Sequence, residues 1–163
     1  MAKSKEEKTN VMRVLEQKKI AYTPHSYPHE EGIAVDGVTV AKSMGFDLAI
    51  VFKTLVARGA SKQYYVFDVP VAENLDLKKA AKAVGEKSIE MIHQKELLPL
   101  TGYVHGGCSP VGMKKLFPTV FHSSAENLAA MIVSAGKIGY QVELAPHDLA
   151  ALVRAKFADL IVE

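Results

Sequence analysis

One cysteine in 163 residues leaves no partner for an internal disulfide. The disulfide-stapled scaffolds of oxidising compartments are thereby excluded. No stretch approaches the ~18 apolar residues of a membrane-spanning helix. The polar segment from Met1 to Asn10 holds no apolar core of a signal peptide. A cytoplasmic protein with no membrane partner is expected. Charge of one sign is scarce too: 20 basic against 18 acidic residues leave a net charge of +2. That excludes a uniformly basic coat for nucleic acid, so any such surface has to be local. The chain also lacks GxGxxG, a Walker loop, GxSxG and CxxC. No internal repeat or low-complexity linker divides it.

What is there reads as one domain, residues 1–163, long enough for a sizeable core. A hydrophobic fraction of 48% and a charged fraction of 23% are ordinary for a globular protein. Ser4-Lys5-Glu6-Glu7 matches a capping box and predicts a helix from about Lys5 to Lys19. Ile20 to Tyr27, with Pro24 inside, reads as an edge strand. Asp36 caps a short helix ending near Met44. Val51–Val56 and Tyr64–Val69 read as a hairpin turning at Ser61-Lys62. Asp76 caps a helix over Leu77–Val84, which Gly85 ends. Short elements follow: a strand at Ser88–Ile92, a helix at Gln94–Leu98 stopped by Pro99, and a strand at Thr119–His122. Ser124–Leu128 forms a helical turn. Strands at Met131–Ser134 and Tyr140–Leu144 come next, then a helix from Pro146 to about Arg154 and a last strand at Asp159–Val162. Hairpins mixed with short helices argue for an α+β fold, a mixed sheet or small barrel with helices around it.

The least periodic stretch runs from Thr101 to Lys115 and contains Gly106-Gly107-Cys108-Ser109-Pro110. Glycines let the backbone approach a ligand closely, and a residue before proline is held extended. The stretch is either a plain connection or a stiff cradle with N–H groups facing outward. Lys53 shares a strand face with Val51 and Leu55. It either snorkels to the surface or lines a pocket and meets an anionic or carbonyl group. Cys108 beside His105 offers a thiol–imidazole pair, or a small apolar filler. His25 and His29 are four apart, but Pro28 breaks the helix that would align them on a metal. From Asp76 to Lys115 seven lysines stand against four acids, a possible basic face or a solvated surface.

Several stretches then fall in an order that resembles a known family. They are Phe52-Lys53-Thr54-Leu55-Val56, Leu75-Asp76-Leu77-Lys78-Lys79-Ala80-Ala81-Lys82-Ala83, the loop from Thr101-Gly102-Tyr103 to Lys114-Lys115, Val133-Ser134-Ala135-Gly136-Lys137 and Ala155-Lys156-Phe157-Ala158-Asp159. Together they resemble the YbaK/EbsC family of free-standing aminoacyl-tRNA deacylases, related to the editing domain of bacterial prolyl-tRNA synthetases. The resemblance implies a barrel-like mixed sheet flanked by helices. It also implies hydrolysis of a mischarged tRNA ester, typically Cys-tRNA(Pro). The substrate's own thiol would attack, with no cofactor, metal or protein nucleophile. On this resemblance Lys53, Gly106, Gly107 and Pro110 are the catalytic set. Tyr27, Ser109, Ser134 and Gly136 bind substrate, and Lys78, Lys79, Lys82, Lys114, Lys115 and Lys137 contact the tRNA backbone. Prolyl-tRNA synthetase is the implied protein partner. Position 108 is commonly Ile, Val or Cys in such proteins, which argues against a nucleophilic Cys108. Ala135 departs from the VSGGK pattern, and Ile33-Ala34-Val35-Asp36 lacks the aromatic residue often found after the pocket tyrosine. An Ala-tRNA(Pro) deacylase, a non-catalytic tRNA-binding module and a thiol hydrolase using Cys108 remain as alternatives.

Overall fold

The computed structural model describes residues 8–30 and 33–163. Ser4 and its capping box lie outside them. Helix α1 spans Asn10–Gln17, and Thr9, in extended conformation, accepts the Met12 N–H. The predicted start at Lys5 is therefore corrected to Asn10, because Thr9 offers the side-chain oxygen a helix start needs. Val11, Met12 and Leu15 form the buried stripe of α1.

The other helices follow local chemistry more closely. Asp36 accepts the Thr39 N–H and opens α2, Gly37–Ser43. Asp76 accepts the N–H groups of Lys78 and Lys79 and opens α3, Leu77–Val84, which left-handed Gly85 closes. Helix α4 spans Gln94–Thr101 with Pro99 inside it, where the sequence predicts an end. Proline disturbs the turn before it. The turn after it still closes, as Gly102 N–H donates to Leu98. Helix α5 runs Pro146–Val153, with proline in its first turn. Among the described residues no helix is long and apolar enough to cross a membrane.

The strands form two sheets. The smaller has the order β1 (Thr23–Ser26), β7 (Tyr140–Leu144), β6 (Met131–Ser134), all antiparallel, with proline-bearing β1 at an edge. The larger runs β4 (Ile89–Met91), β2 (Phe52–Gly59), β3 (Tyr64–Pro70), β5 (Thr119–His122), β8 (Lys156–Ala158). Its β2–β3 hairpin is antiparallel, whereas β3–β5 and β5–β8 are parallel. The sheets touch through one parallel bridge, Val51 to Ile132, with Ile132 N–H on the Ile50 carbonyl. They do not close into a barrel. The last strand lies at Lys156–Ala158, ahead of the predicted Asp159–Val162. Asp159–Val162 instead runs beside Asn74–Asp76, through the Leu75–Ile161 bridge and a bond from Val162 N–H to Asn74.

Three packed layers follow. Helices α1 and α5 cover one face of the small sheet around Val133, Val142 and Leu144. Helix α2 covers its other face through Ala41, Val51 and Ile132. Helix α3 covers the large sheet at Phe67, Val69 and Val120. Cys108 and Phe117, from the stretch after α4, pack on Val56 and Val66 of the opposite face. A cavity opens between the two sheets and that stretch.

Candidate active site

The cavity has a volume of about 530 Å³, within the range of small-molecule sites. Several separate parts of the chain build it. Tyr27 follows β1, Ala34–Gly37 enters α2, and Lys53 and Thr54 come from β2. His105, Gly106 and Cys108 come from the glycine stretch, and Ser134, Tyr140 and Gln141 from the β6–β7 hairpin. Lys53 and Thr54 lie on opposite faces of their strand by alternation, yet both line the cavity.

Lys53 is the electrostatic centre of this space. It is half-buried and has no hydrogen-bond or ion-pair partner among the described residues. Burial holds its pKa below the ordinary 10.5, and Asp36 and Glu73 pull it part of the way back. A half-buried ammonium without a partner is poised for an oxygen ligand. Across β6, Gln141 is 8% exposed, and its Oε1 has no partner among the described residues. Ser134 accepts the Gly136 N–H at 3.1 Å, which shapes the β6–β7 turn.

The glycine stretch is built for close approach. Gly106 has φ +91°, and a Cβ there would lie 2.7 Å from the Ala34 Cβ. At Gly107 a Cβ would lie 3.0 Å from the Ile138 nitrogen, so the stretch lies directly on the β6–β7 turn. The N–H groups around Gly106 and Gly107 differ in what they leave free. Gly107 N–H already donates to the Val104 carbonyl at 2.9 Å. The N–H groups of Gly106 and Cys108 have no acceptor among the described residues, and both residues line the cavity. Ser109 is fully buried, and its Oγ accepts the Val111 N–H at 3.2 Å. Pro110 lines a separate cavity of about 190 Å³. Gly107, Ser109, Pro110 and Gly136 therefore support the wall from behind and do not line it.

Cys108 has no nucleophile's surroundings. Burial, with Asp68 behind it, pushes its thiol up to about 12, so the reactive thiolate is absent at neutral pH. Asp68 itself is fully buried, accepts the Thr54 hydroxyl and has an unpartnered second oxygen among the described residues. Burial pushes its carboxyl up to about 7. His25 donates to Glu143 at 2.8 Å and His29 to the Tyr27 carbonyl at 2.9 Å, so each has a structural partner.

Of the residues expected to be catalytic, Lys53 and Gly106 line the cavity, and of those expected to bind substrate, Tyr27 and Ser134 do. None of the six predicted lysines lines it. Lys137 stands nearest, with its backbone against Gly107 and its Nζ 6.0 Å from the Tyr140 ring centroid. Lys78 and Lys82 are exposed on α3, and Lys114 and Lys115 are exposed beyond the glycine stretch. Lys79 of the same set is held by the end of the chain: its ammonium bonds Asp159, Glu163 and the Ile161 carbonyl. Sequence reasoning missed Thr54, Asp36, Tyr140 and Gln141. Only Thr54 carried a signal, since it sits next to Lys53 in the β2 motif.

Residues 34–152 match the aminoacyl-tRNA editing domain family. A candidate Cys-tRNA(Pro)/Cys-tRNA(Cys) deacylase, EbsC of Enterococcus faecalis, is 45% identical over 161 residues, 98% of each chain. A solved structure described as a candidate trans-editing enzyme for prolyl tRNA synthetase superposes with a TM-score of 0.79 at 25% identity. That match covers 94% of this chain and 95% of the other. A hypothetical protein of known structure shares the fold, with a TM-score of 0.82 at 18% identity over 93% of this chain and 99% of the other.

Proposed function

The chain belongs to the aminoacyl-tRNA editing domain family and is an aminoacyl-tRNA deacylase; from that premise we propose that it clears Cys-tRNA(Pro) in trans. The observation that carries the substrate is the 45% identity to the EbsC deacylase over nearly the whole of both chains. The full chain, residues 1–163, acts as one editing domain in the cytoplasm, where tRNA is charged. Prolyl-tRNA synthetase is the partner that would present the tRNA.

The chemistry is positioning plus electrostatics. The substrate's thiol sulfur attacks its own ester carbonyl. The bond from carbonyl carbon to ribose oxygen breaks, and the thiol proton passes to that oxygen. Free tRNA and a cyclic thiolactone leave. Lys53 holds the ribose or carbonyl oxygen by charge-assisted bonds. The N–H groups of Gly106 and Cys108 meet the oxyanion as it develops. Holding thiol and carbonyl in register supplies several kcal/mol, so no protein nucleophile is needed. The buried thiol of Cys108, held protonated, fits that role of backbone donor only.

The test is release of labelled amino acid from Cys-tRNA(Pro) and Ala-tRNA(Pro) by wild type, Lys53→Ala and Cys108→Ala side by side. Wild type and Cys108→Ala should clear the cysteinyl ester at similar rates, and Lys53→Ala should lose at least about a hundredfold. Turnover of the alanyl ester alone would change the substrate. A dead but folded Cys108→Ala would replace the mechanism with thiol catalysis.

A further inference from the structure

Among the described residues Asp68 is the one fully buried acid, and the mechanism above does not use it. It lies on β3 directly opposite Thr54 of β2, so the two side chains share a sheet face. The Thr54 hydroxyl donates to Asp68 Oδ1 at 2.5 Å, and Oδ2 has no partner among the described residues. Thr54 lines the cavity, and Asp68 stands one layer behind it. A buried carboxyl with half its bonding unmet is costly, so its presence in a strand otherwise made of Tyr, Val, Phe and Pro calls for a purpose.

We propose that Asp68 is a positioning residue: by accepting the hydrogen bond of the Thr54 hydroxyl it leaves Thr54 as an acceptor for the α-amino group of the substrate. The inference rests on the deacylase reading above. A hydroxyl has one proton and two lone pairs. With the proton committed to Asp68, only lone pairs face the cavity. The donors that an aminoacyl ester brings are its α-amino N–H groups and, more weakly, its thiol. A charged amino group is repelled by the Lys53 ammonium, and in either form its N–H groups need an acceptor, which an ammonium cannot be. Thr54, pointing away from Lys53 across the strand, supplies one. Ionised Asp68 behind it adds attraction for an ammonium at short range.

A pH signature follows. The Asp68 carboxyl, pushed up to about 7, ionises near neutrality. Above that point the carboxylate holds the Thr54 proton firmly. Below it, the neutral acid can donate to Thr54 in turn, and Thr54 then offers a proton to the cavity instead of a lone pair. Cys108, facing Asp68 from the glycine stretch, stays a thiol throughout this range. Amino-group recognition should therefore strengthen as pH rises through about 7.

The experiment compares Cys-tRNA(Pro) with its desamino analogue, mercaptopropionyl-tRNA(Pro), which keeps thiol and ester and lacks the amine. Wild type, Thr54→Val, Asp68→Asn and Asp68→Val are assayed for kcat and KM from about pH 6 to about pH 8. Asp68→Val and Thr54→Val should each lose about tenfold to a hundredfold in kcat/KM on the cysteinyl ester, the worth of one bond to a charged group. They should differ little from wild type on the desamino ester. Asp68→Asn keeps an acceptor oxygen for Thr54 and should retain most activity, and its kcat/KM ratio between the cysteinyl and desamino esters should lose the rise through about pH 7 that wild type shows. Equal losses on both esters, or an unchanged pH profile in Asp68→Asn, would overturn the assignment. Wild type inactive on both esters would remove the deacylase reading itself, and the assignment with it.

Discussion

Asp68 occupies a core-facing strand position where an apolar side chain would ordinarily pack. Its folded-state carboxyl is raised to about 7 from an ordinary 3.8, with burial as the cause. The native state therefore holds a proton that the unfolded chain releases between those values. Its contribution is full below about pH 4, falls as pH rises toward 7, and is level above. The change is roughly 4 kcal/mol across that window. Urea unfolding of wild type and Asp68→Asn at a series of pH values checks it. The difference should shift toward the Asn variant with rising pH by an amount of that order, and a constant difference would mean Asp68 titrates as in water. The sequence made Lys53 conspicuous, because a lysine between Val51 and Leu55 on one strand face breaks an apolar pattern. It hid Asp68 and Gln141. Alternation assigns faces, but which face is covered, and by what, is settled by segments far away in sequence.

Elements were legible where a side chain meets its own backbone. Asp36 and Asp76 cap their helices within three residues, and Gly85 ends α3 with φ +75°. They were misread where distant contacts decide. Helix α4 runs through Pro99 because Gly102 closes its last turn. The segment after Ala158 leaves strand geometry because Asn74 and Asp76 supply its bonding partners. The glycine stretch stands between these cases: its composition marked a cradle, but only the fold shows that the Gly107 N–H is spent on the Val104 carbonyl. Gly106 then carries a sharp expectation. Alanine there is strained at φ +91° and drives its Cβ within 2.7 Å of Ala34 Cβ, across the cavity mouth. Gly106→Ala should lose about tenfold or more in turnover with about 1–3 kcal/mol of stability. Gly85→Ala is strained too, but nothing lies within 4 Å of its new Cβ. It should lose comparable stability and keep full turnover. Equal turnover in the two variants would show that the Gly106 backbone has no part in the reaction.

At the scale of the molecule, a net charge of +2 leaves little long-range attraction for tRNA, so binding has to come from particular lysines. The mixed sheet flanked by helices was legible from the alternation of hairpins and short helices. The split into two sheets joined at Val51 was not, because one bridge and one bond join them. The split matters, since the cavity opens between the sheets with Lys53 inside it, and the six lysines expected to meet tRNA lie outside it. Helix α3 allows a controlled test of which lysines meet phosphate. Lys82 is exposed with no ion-pair partner among the described residues, whereas Lys79, three residues earlier on the same helix, already bonds Asp159, Glu163 and the Ile161 carbonyl through its ammonium. Each lysine that displaces a counterion from tRNA contributes about one to the slope of log affinity against log salt. Lys82→Ala should therefore flatten the salt dependence of KM by roughly one unit of slope and leave kcat unchanged. Lys79→Ala should leave the slope alone, because its charge is already neutralised by the C-terminal carboxylates. A flattened slope in Lys79→Ala would mean that the clamp opens for tRNA. An unchanged slope in both would move the tRNA path off α3, toward Lys114, Lys115 and Lys137 beside the glycine stretch.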